Sequence, residues 1–251
     1  REEARYRQEA EPVRFPTPYD AMLDLYSNGD SSSFIAEVFS DLKSRLPNIL
    51  QQVVDRQKSR PNLSLPSSFS ISAQQTLNHT LMDILGFDFS AGRLDASTHP
   101  FSTGDHGDNR ITTRYNDQEF LQALMATAHE TGHASYEAGL PAKWKLQPAG
   151  DSRNMSIHES QSLFFEKQLF IHRSFSHYLA PKVRSALTLP DSFNGDQMWQ
   201  LSTQVKPGLI RVEADEVSYP LHVILRYEIE SALINGTMEA EDVPDAWDEK
   251  M

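Results

Sequence analysis

Residues 119–139, EFLQALMATAHETGHASYEAG, decide how this chain is read. Asn116 offers an N-cap just upstream, with Glu119 three residues on as its capping-box partner. Gly139 supplies a stop, so a helix is expected from about Asn116 to Ala138. Inside it stands His129-Glu130-Thr131-Gly132-His133. On a helix, positions i and i+4 lie about 6 Å apart along the axis and roughly 40° apart around it, so two imidazoles can grip one cation from one face. Glu130, beside the first histidine, is then placed to take a proton from a water whose pKa the ion has lowered to about 7. The plainer reading is two surface histidines on an amphipathic helix.

A catalytic zinc takes three protein ligands and keeps one position open. Glu159, in Ile157-His158-Glu159-Ser160-Gln161-Ser162, is the best third candidate, twenty-six residues after His133. A second helix running back after the Gly139 to Gly150 loop would bring it opposite the histidines, and Leu163, Phe164 and Phe165 suggest a packed face. His158 reads as a neighbour of the ion or as a structural histidine. Imidazole plus carboxylate suits zinc, and also cobalt or manganese.

Outward from this core the chain reads as mainly α. Apolar residues fall at helical spacing from Tyr19 to Leu25 and from Phe34 to Gln57, with a kink or restart expected at Pro47. Residues 58–72 form a Ser/Pro-rich connector, and a helix is expected over 73–86, ended by Gly86. Residues 87–115 hold irregular and extended structure, with Arg110 to Tyr115 the best strand. Further helices are expected from about Ser152 to Leu179 and from about Gln197 into Leu233, the latter kinked at Pro220. This divides the chain into an N-terminal helical segment, 1–72, and a helical core carrying the metal site, 73–251. The Asn62, Asn78, Asn154 and Asn235 sequons read as chance.

Composition removes several function classes. With no Cys among 251 residues, disulfides, thiol catalysis and Cys-ligated zinc are out. A net charge of −12 argues against a nucleic-acid surface, which needs a basic face. No apolar run approaches the roughly 20 residues that span a bilayer. The charged stretch Arg1 to Glu11 does not read as a signal peptide. It begins at Arg1, so the chain reads as part of something longer.

An exopeptidase needs an anchor for the substrate terminus, and Arg holds a carboxylate by its planar fork. Arg110, in Asp108-Asn109-Arg110-Ile111-Thr112, and Arg211, in Ile210-Arg211-Val212-Glu213-Ala214-Asp215, each have acids nearby; both also read as structural ion pairs. His99-Pro100-Phe101 is a rigid turn that could wall a pocket. Tyr219 and His222 are candidate donors to a developing oxyanion.

Five motifs in order, His99-Pro100-Phe101, Asp108-x-Arg110-x-Thr112, His129-Glu-Thr-Gly-His133, His158-Glu159-Ser-Gln and Ile210-Arg211-x-x-Ala214-Asp215, resemble the carboxypeptidase Taq family of thermostable carboxypeptidase 1-type metallocarboxypeptidases. The resemblance covers almost the whole chain but only the middle part of the family's length. It implies a helical, deeply clefted fold with the metal at the cleft floor and a very small β-sheet at its wall. It further implies release of C-terminal residues from peptides with broad specificity, using one zinc per chain, with cobalt an alternative. His129, His133 and Glu159 would be the ligands and Glu130 the base. His99, Asp108, Arg110 and Thr112 would line the substrate end, and Arg211 would help hold the terminal carboxylate. A cytoplasmic homodimer is implied, with no nucleic-acid or membrane partner. The family's N-terminal helices and its later Gly-x-x-Gln-Asp-x-His-Trp stretch lie outside residues 1–251. Two other readings stay open: a related HExxH endopeptidase or dipeptidase, and an inactive metal-binding fragment.

Overall fold

A computed structural model describes residues 1–105 and 107–251, the side chain of Asp105 excepted. Its elements in chain order are α1 (Glu2–Ala10), α2 (Pro18–Leu23), α3 (Ser32–Gln57), α4 (Ile71–Ile84), β1 (Gly92–Ala96), β2 (Phe101–Asp105), β3 (Asp108–Thr113), α5 (Leu121–Ala138), α6 (Met155–Leu163), α7 (Arg173–Leu187), α8 (Gly195–Ser202), α9 (Tyr219–Asn235) and α10 (Val243–Lys250). The mainly α expectation is met, with one small sheet. Among the described residues no helix is long and apolar enough to cross a membrane.

The chain forms two compact units, one of residues 1–60 and 205–251, the other of 61–204. In the first, α9 is flanked by α2, α3 and α10. The Tyr227 ring on α9 meets Tyr19 and Phe39 edge-on, with ring centroids 5.6 and 5.1 Å away. The α2 N-terminus is closed by a Thr17–Asp20 capping box. The second Asp20 oxygen accepts the Ser32 amide N–H at 2.7 Å, so one buried carboxylate ties together the starts of α2 and α3. Helix α3 runs unbroken through Pro47, so of the kink or restart expected there, the restart does not occur.

In the second unit, α4, α5, α7 and α8 enclose a core of Leu77, Leu81, Leu124, Phe170, Leu179, Val183 and Met198, all at most 2% exposed. Phe69 and Phe120 close one end, edge to face at 5.0 Å. A smaller cluster, Met82, Phe87, Ile111 and Ala134, seats the sheet against α4 and α5. The sheet has order β1-β3-β2, with β1 parallel and β2 antiparallel to β3. Only the central strand was read from the sequence; β1 and β2 are five-residue strands whose short runs carry little alternation.

Four boundaries differ from the sequence reading. Helix α5 begins at Leu121, because Glu119 caps it: its carboxylate accepts the amide N–H of Leu121 and Gln122 at 2.6 and 2.8 Å, while Asn116 serves the turn before it. The helix expected over 152–179 is three pieces, α6, a π-helical stretch Phe164–Phe170, and α7, whose N-cap is His172. The helix expected from 197 to 233 is two, α8 and α9. Pro220 lies in the first turn of α9, where its missing N–H costs nothing, instead of kinking a longer helix. Helix α4 ends at Ile84, and Gly86 follows with φ +84°, a left-handed conformation suited to glycine.

Candidate metal centre

Helices α5 and α6 pack directly on each other. Gly132 makes that approach possible: a Cβ there would stand 2.6 Å from Ser162 Cα and 2.8 Å from Gln161 O. The glycine within the two-histidine segment therefore sets the distance between the elements that carry the polar groups. Asn154 starts α6 by accepting the Ser156 and Ile157 amide N–H groups, which fixes the turn from which Glu159 projects.

The result is a convergence of three side chains. Glu159 Oε2 lies 3.1 Å from His133 Nε2 and 3.6 Å from His129 Nε2. One ligand atom from each of His129, His133 and Glu159 falls within 4.8 Å of the others, a grouping that could hold a metal ion. The sequence reading selected this trio.

The outer nitrogens of both rings are occupied. His129 Nδ1 is 2.9 Å from Glu166 Oε2. His133 Nδ1 is 2.6 Å from His158 Nδ1, and His158 Nε2 is 2.7 Å from Glu137 Oε1. A carboxylate only accepts, so neutral His129 carries its proton on Nδ1. By the same rule neutral His158 donates from Nε2 to Glu137. The Nε2 atoms of both His129 and His133 face the Glu159 carboxylate, that of His133 within hydrogen-bond distance. Two imidazole nitrogens and one carboxylate oxygen converging on one point are a donor set that fits a divalent metal.

Burial pushes the Glu130 carboxyl up to about 7; His129 opposes this, and the negative charges of Glu159 and Glu166 reinforce it. Burial also pushes Glu159 up, but the His133 hydrogen bond and the charge of His129 bring it below the ordinary carboxylate range. Glu166 behaves likewise: burial raises it, and His129 and Lys167 together hold it low. For His129, burial works against the charged ring, but Glu166 and then Glu159 outweigh it and raise its pKa. Glu137 and Glu166 were not singled out in the sequence. Glu166 was legible in principle, because it follows Glu159 by seven residues, two helical turns along one stripe. Glu137 follows His133 by four on α5, the same spacing as the two histidines.

The other candidates fall into two groups. In the second unit, Thr112 Oγ1 accepts the Phe101 N–H at 3.1 Å and donates to the His99 carbonyl at 3.4 Å, pinning the His99-Pro100-Phe101 turn to β3. Thr112 is thus engaged with the backbone of that turn. Asp108 receives Arg110 through Nε at 3.1 Å and Nη2 at 2.8 Å, an exposed two-pronged pair. In the first unit, Arg211 Nη1 lies 3.3 Å from the Tyr219 hydroxyl. Asp215 accepts the amide N–H of Val217, Ser218 and Lys206 at 2.9–3.0 Å, so it organises the loop that carries Arg211. His222 is buried, with Nε2 3.0 Å from the Gly208 carbonyl.

Comparison with known proteins points the same way. The family described as Carboxypeptidase Taq (M32) metallopeptidase matches residues 1–251. Carboxypeptidase 1 of Bacillus subtilis is 37% identical over 238 residues, 93% of this chain and 47% of that protein. Thermostable carboxypeptidase 1 of Thermus thermophilus is 38% identical over 234 residues, 92% of this chain and 46% of that protein. Among solved structures, Trypanosoma cruzi metallocarboxypeptidase 1 superposes with a TM-score of 0.92 at 40% identity, covering 100% of this chain and 52% of that one. The M32 carboxypeptidase from Deinococcus radiodurans R1 gives 0.87 at 30% identity, covering 96% and 49%. The chain spans about half the length of the curated relatives it matches.

Proposed function

Since the chain belongs to the carboxypeptidase Taq (M32) metallopeptidase family, we propose that it carries the hydrolytic centre of a metal-dependent carboxypeptidase that releases C-terminal residues from peptides with broad specificity. The observation that carries this reading is the meeting of two imidazole Nε2 atoms, four residues apart on one helix, with the Glu159 carboxylate. His129, His133 and Glu159 would hold one divalent ion, zinc by ligand type, with cobalt or manganese as alternatives. Such an ion supplies Lewis acidity, which acidifies water and polarises a carbonyl.

The remaining work belongs to the protein's own groups. Glu130 takes the proton of the attacking water and passes it to the leaving amine; a carboxyl whose pKa lies near neutrality suits both transfers. Glu159 and the two imidazoles keep their donor atoms aimed at one point. Arg211 is our first choice for the substrate carboxylate and Arg110 our second, on the strength of guanidinium chemistry. His99, Asp108 and Thr112 belong to the substrate-binding part of the same proposal, and His158, Tyr219 and His222 to its supporting donors. A homodimer acting in the cytoplasm completes the reading.

The test is a pair of peptides differing only in a free or amidated C-terminus, assayed with added Zn²⁺ or Co²⁺. Stepwise release from the free terminus, no cleavage of the amide and loss of activity on chelation are expected. Cleavage of the amidated peptide would replace this reading with an endopeptidase. A metal-loaded chain that cleaves neither would leave a metal-binding fragment.

A further inference from the structure

Glu166 is a costly residue to bury. Its side chain is 15% exposed, on a π-helical stretch between two regular helices. A carboxylate in such a place is tolerated only when its oxygens are bonded. One oxygen contacts His129 Nδ1 at 2.9 Å and the other Lys167 Nζ at 2.6 Å, and Lys167 is equally buried. Two charged side chains are thus held in the interior where one contacts a candidate ligand and the other neutralises its partner. A π-turn within a helix is rare and is often found at functional sites.

We propose that Glu166 is a positioning residue for the metal centre: its carboxylate holds the His129 proton on Nδ1 and fixes the ring so that Nε2 faces Glu159. This rests on the metal-binding reading above. An imidazole free to rotate or to change tautomer presents its lone pair to the ion only part of the time. A carboxylate behind it removes that freedom and makes the ring a stronger donor. Lys167 belongs to the arrangement as counter-charge and touches no candidate ligand among the contacts described.

The test is metal affinity of the full chain, stripped of metal and titrated with Zn²⁺ against a chromophoric chelator, with the Co²⁺ absorption spectrum as a second readout. Glu166→Ala is expected to weaken Zn²⁺ about ten- to a hundredfold and to alter the Co²⁺ bands. Glu166→Gln, which keeps the volume and an accepting oxygen, is expected to fall between it and the wild type. Lys167→Met, which leaves Glu166 bonded to His129 but without its counter-charge, is expected to weaken Zn²⁺ clearly less than Glu166→Ala, and the Glu166→Ala/Lys167→Met double variant to be as weak as Glu166→Ala. That double variant, together with Glu166→Gln, decides the matter if Glu166→Ala does not fold. Wild-type affinity in Glu166→Ala, or in the folded substitutes if it fails, would overturn the proposal. So would a loss in Lys167→Met equal to that in Glu166→Ala, because the ion pair alone would then account for it. Glu159→Ala separates this from the underlying reading: if it abolishes binding while Glu166→Ala does not, the centre stands and only the role of Glu166 falls. A wild type that binds no ion overturns both.

Discussion

At the residue scale the chemistry we propose rests on Glu130, one position after a candidate ligand, in a buried setting that lifts its carboxyl to about 7. Glu130→Gln removes the proton acceptor while keeping volume and the neighbouring donors. We expect Zn²⁺ affinity within a few-fold of the wild type and peptide release lowered by about 10²–10⁴, read by titration and by steady-state kinetics. Retained turnover would remove Glu130 from the role of base. A different residue, Asp20, contributes to stability against acid. Burial pushes the Asp20 carboxyl up, but hydrogen bonds from Thr17 and from the Ser32 amide outweigh that and hold it below its ordinary value. Its folded pKa therefore lies under the unfolded one, near 3.9. The stabilisation is present above about pH 4 and is lost as pH falls through the folded value. Asp20→Ala should cost about 1–3 kcal/mol in urea unfolding at pH 7, and the gap to wild type should narrow below pH 4.

At the element scale the centre is a contact between α5 and α6, and Gly132 sets its closeness. Alanine is the better helix former by about 1 kcal/mol, yet Gly132→Ala drives a methyl into the Ser162 backbone. We expect a net loss of about 1–3 kcal/mol in thermal or urea unfolding and weaker Zn²⁺ binding, because Glu159 rides on the displaced helix. A variant more stable than wild type with unchanged affinity would show that the two helices have slack. Much of this contact was legible. The i, i+4 histidines, the Gly139 stop and a returning helix with Glu159 all follow from spacing and local punctuation. The interruptions were not. Phe164 to Phe170 continues an apolar pattern that a π-turn satisfies as well as an α-helix, so nothing local marks the break. The Asn116 cap was a reasonable choice on residue type, but Glu119 does the capping two positions before the helix begins. Glu137 and Glu166 escaped notice because acidic residues on helices are ordinarily solvated, and only packing shows which ones face a histidine ring.

At the scale of the whole molecule, the three candidate ligands, Glu130 and both carboxylates behind the rings lie within residues 61–204, one of the two compact units. The candidate anchor Arg211, with Tyr219 and His222, belongs to the other. Ligands drawn from two helices of one unit should stabilise it when loaded, since an ion that binds only the folded state adds RT ln(1 + [M]/Kd), about 2.7 kcal/mol at a hundredfold excess over Kd. Scanning calorimetry should therefore show a melting temperature that rises with Zn²⁺ and returns to baseline with a chelator; a melting temperature indifferent to Zn²⁺ would argue against a site formed by the fold. The most direct measurement is elemental analysis of the purified wild type beside His133→Ala, whose helical content should match. Our account predicts about one divalent ion per wild-type chain and almost none in the variant. Equal metal content in the two, or none in a folded wild type, would contradict it.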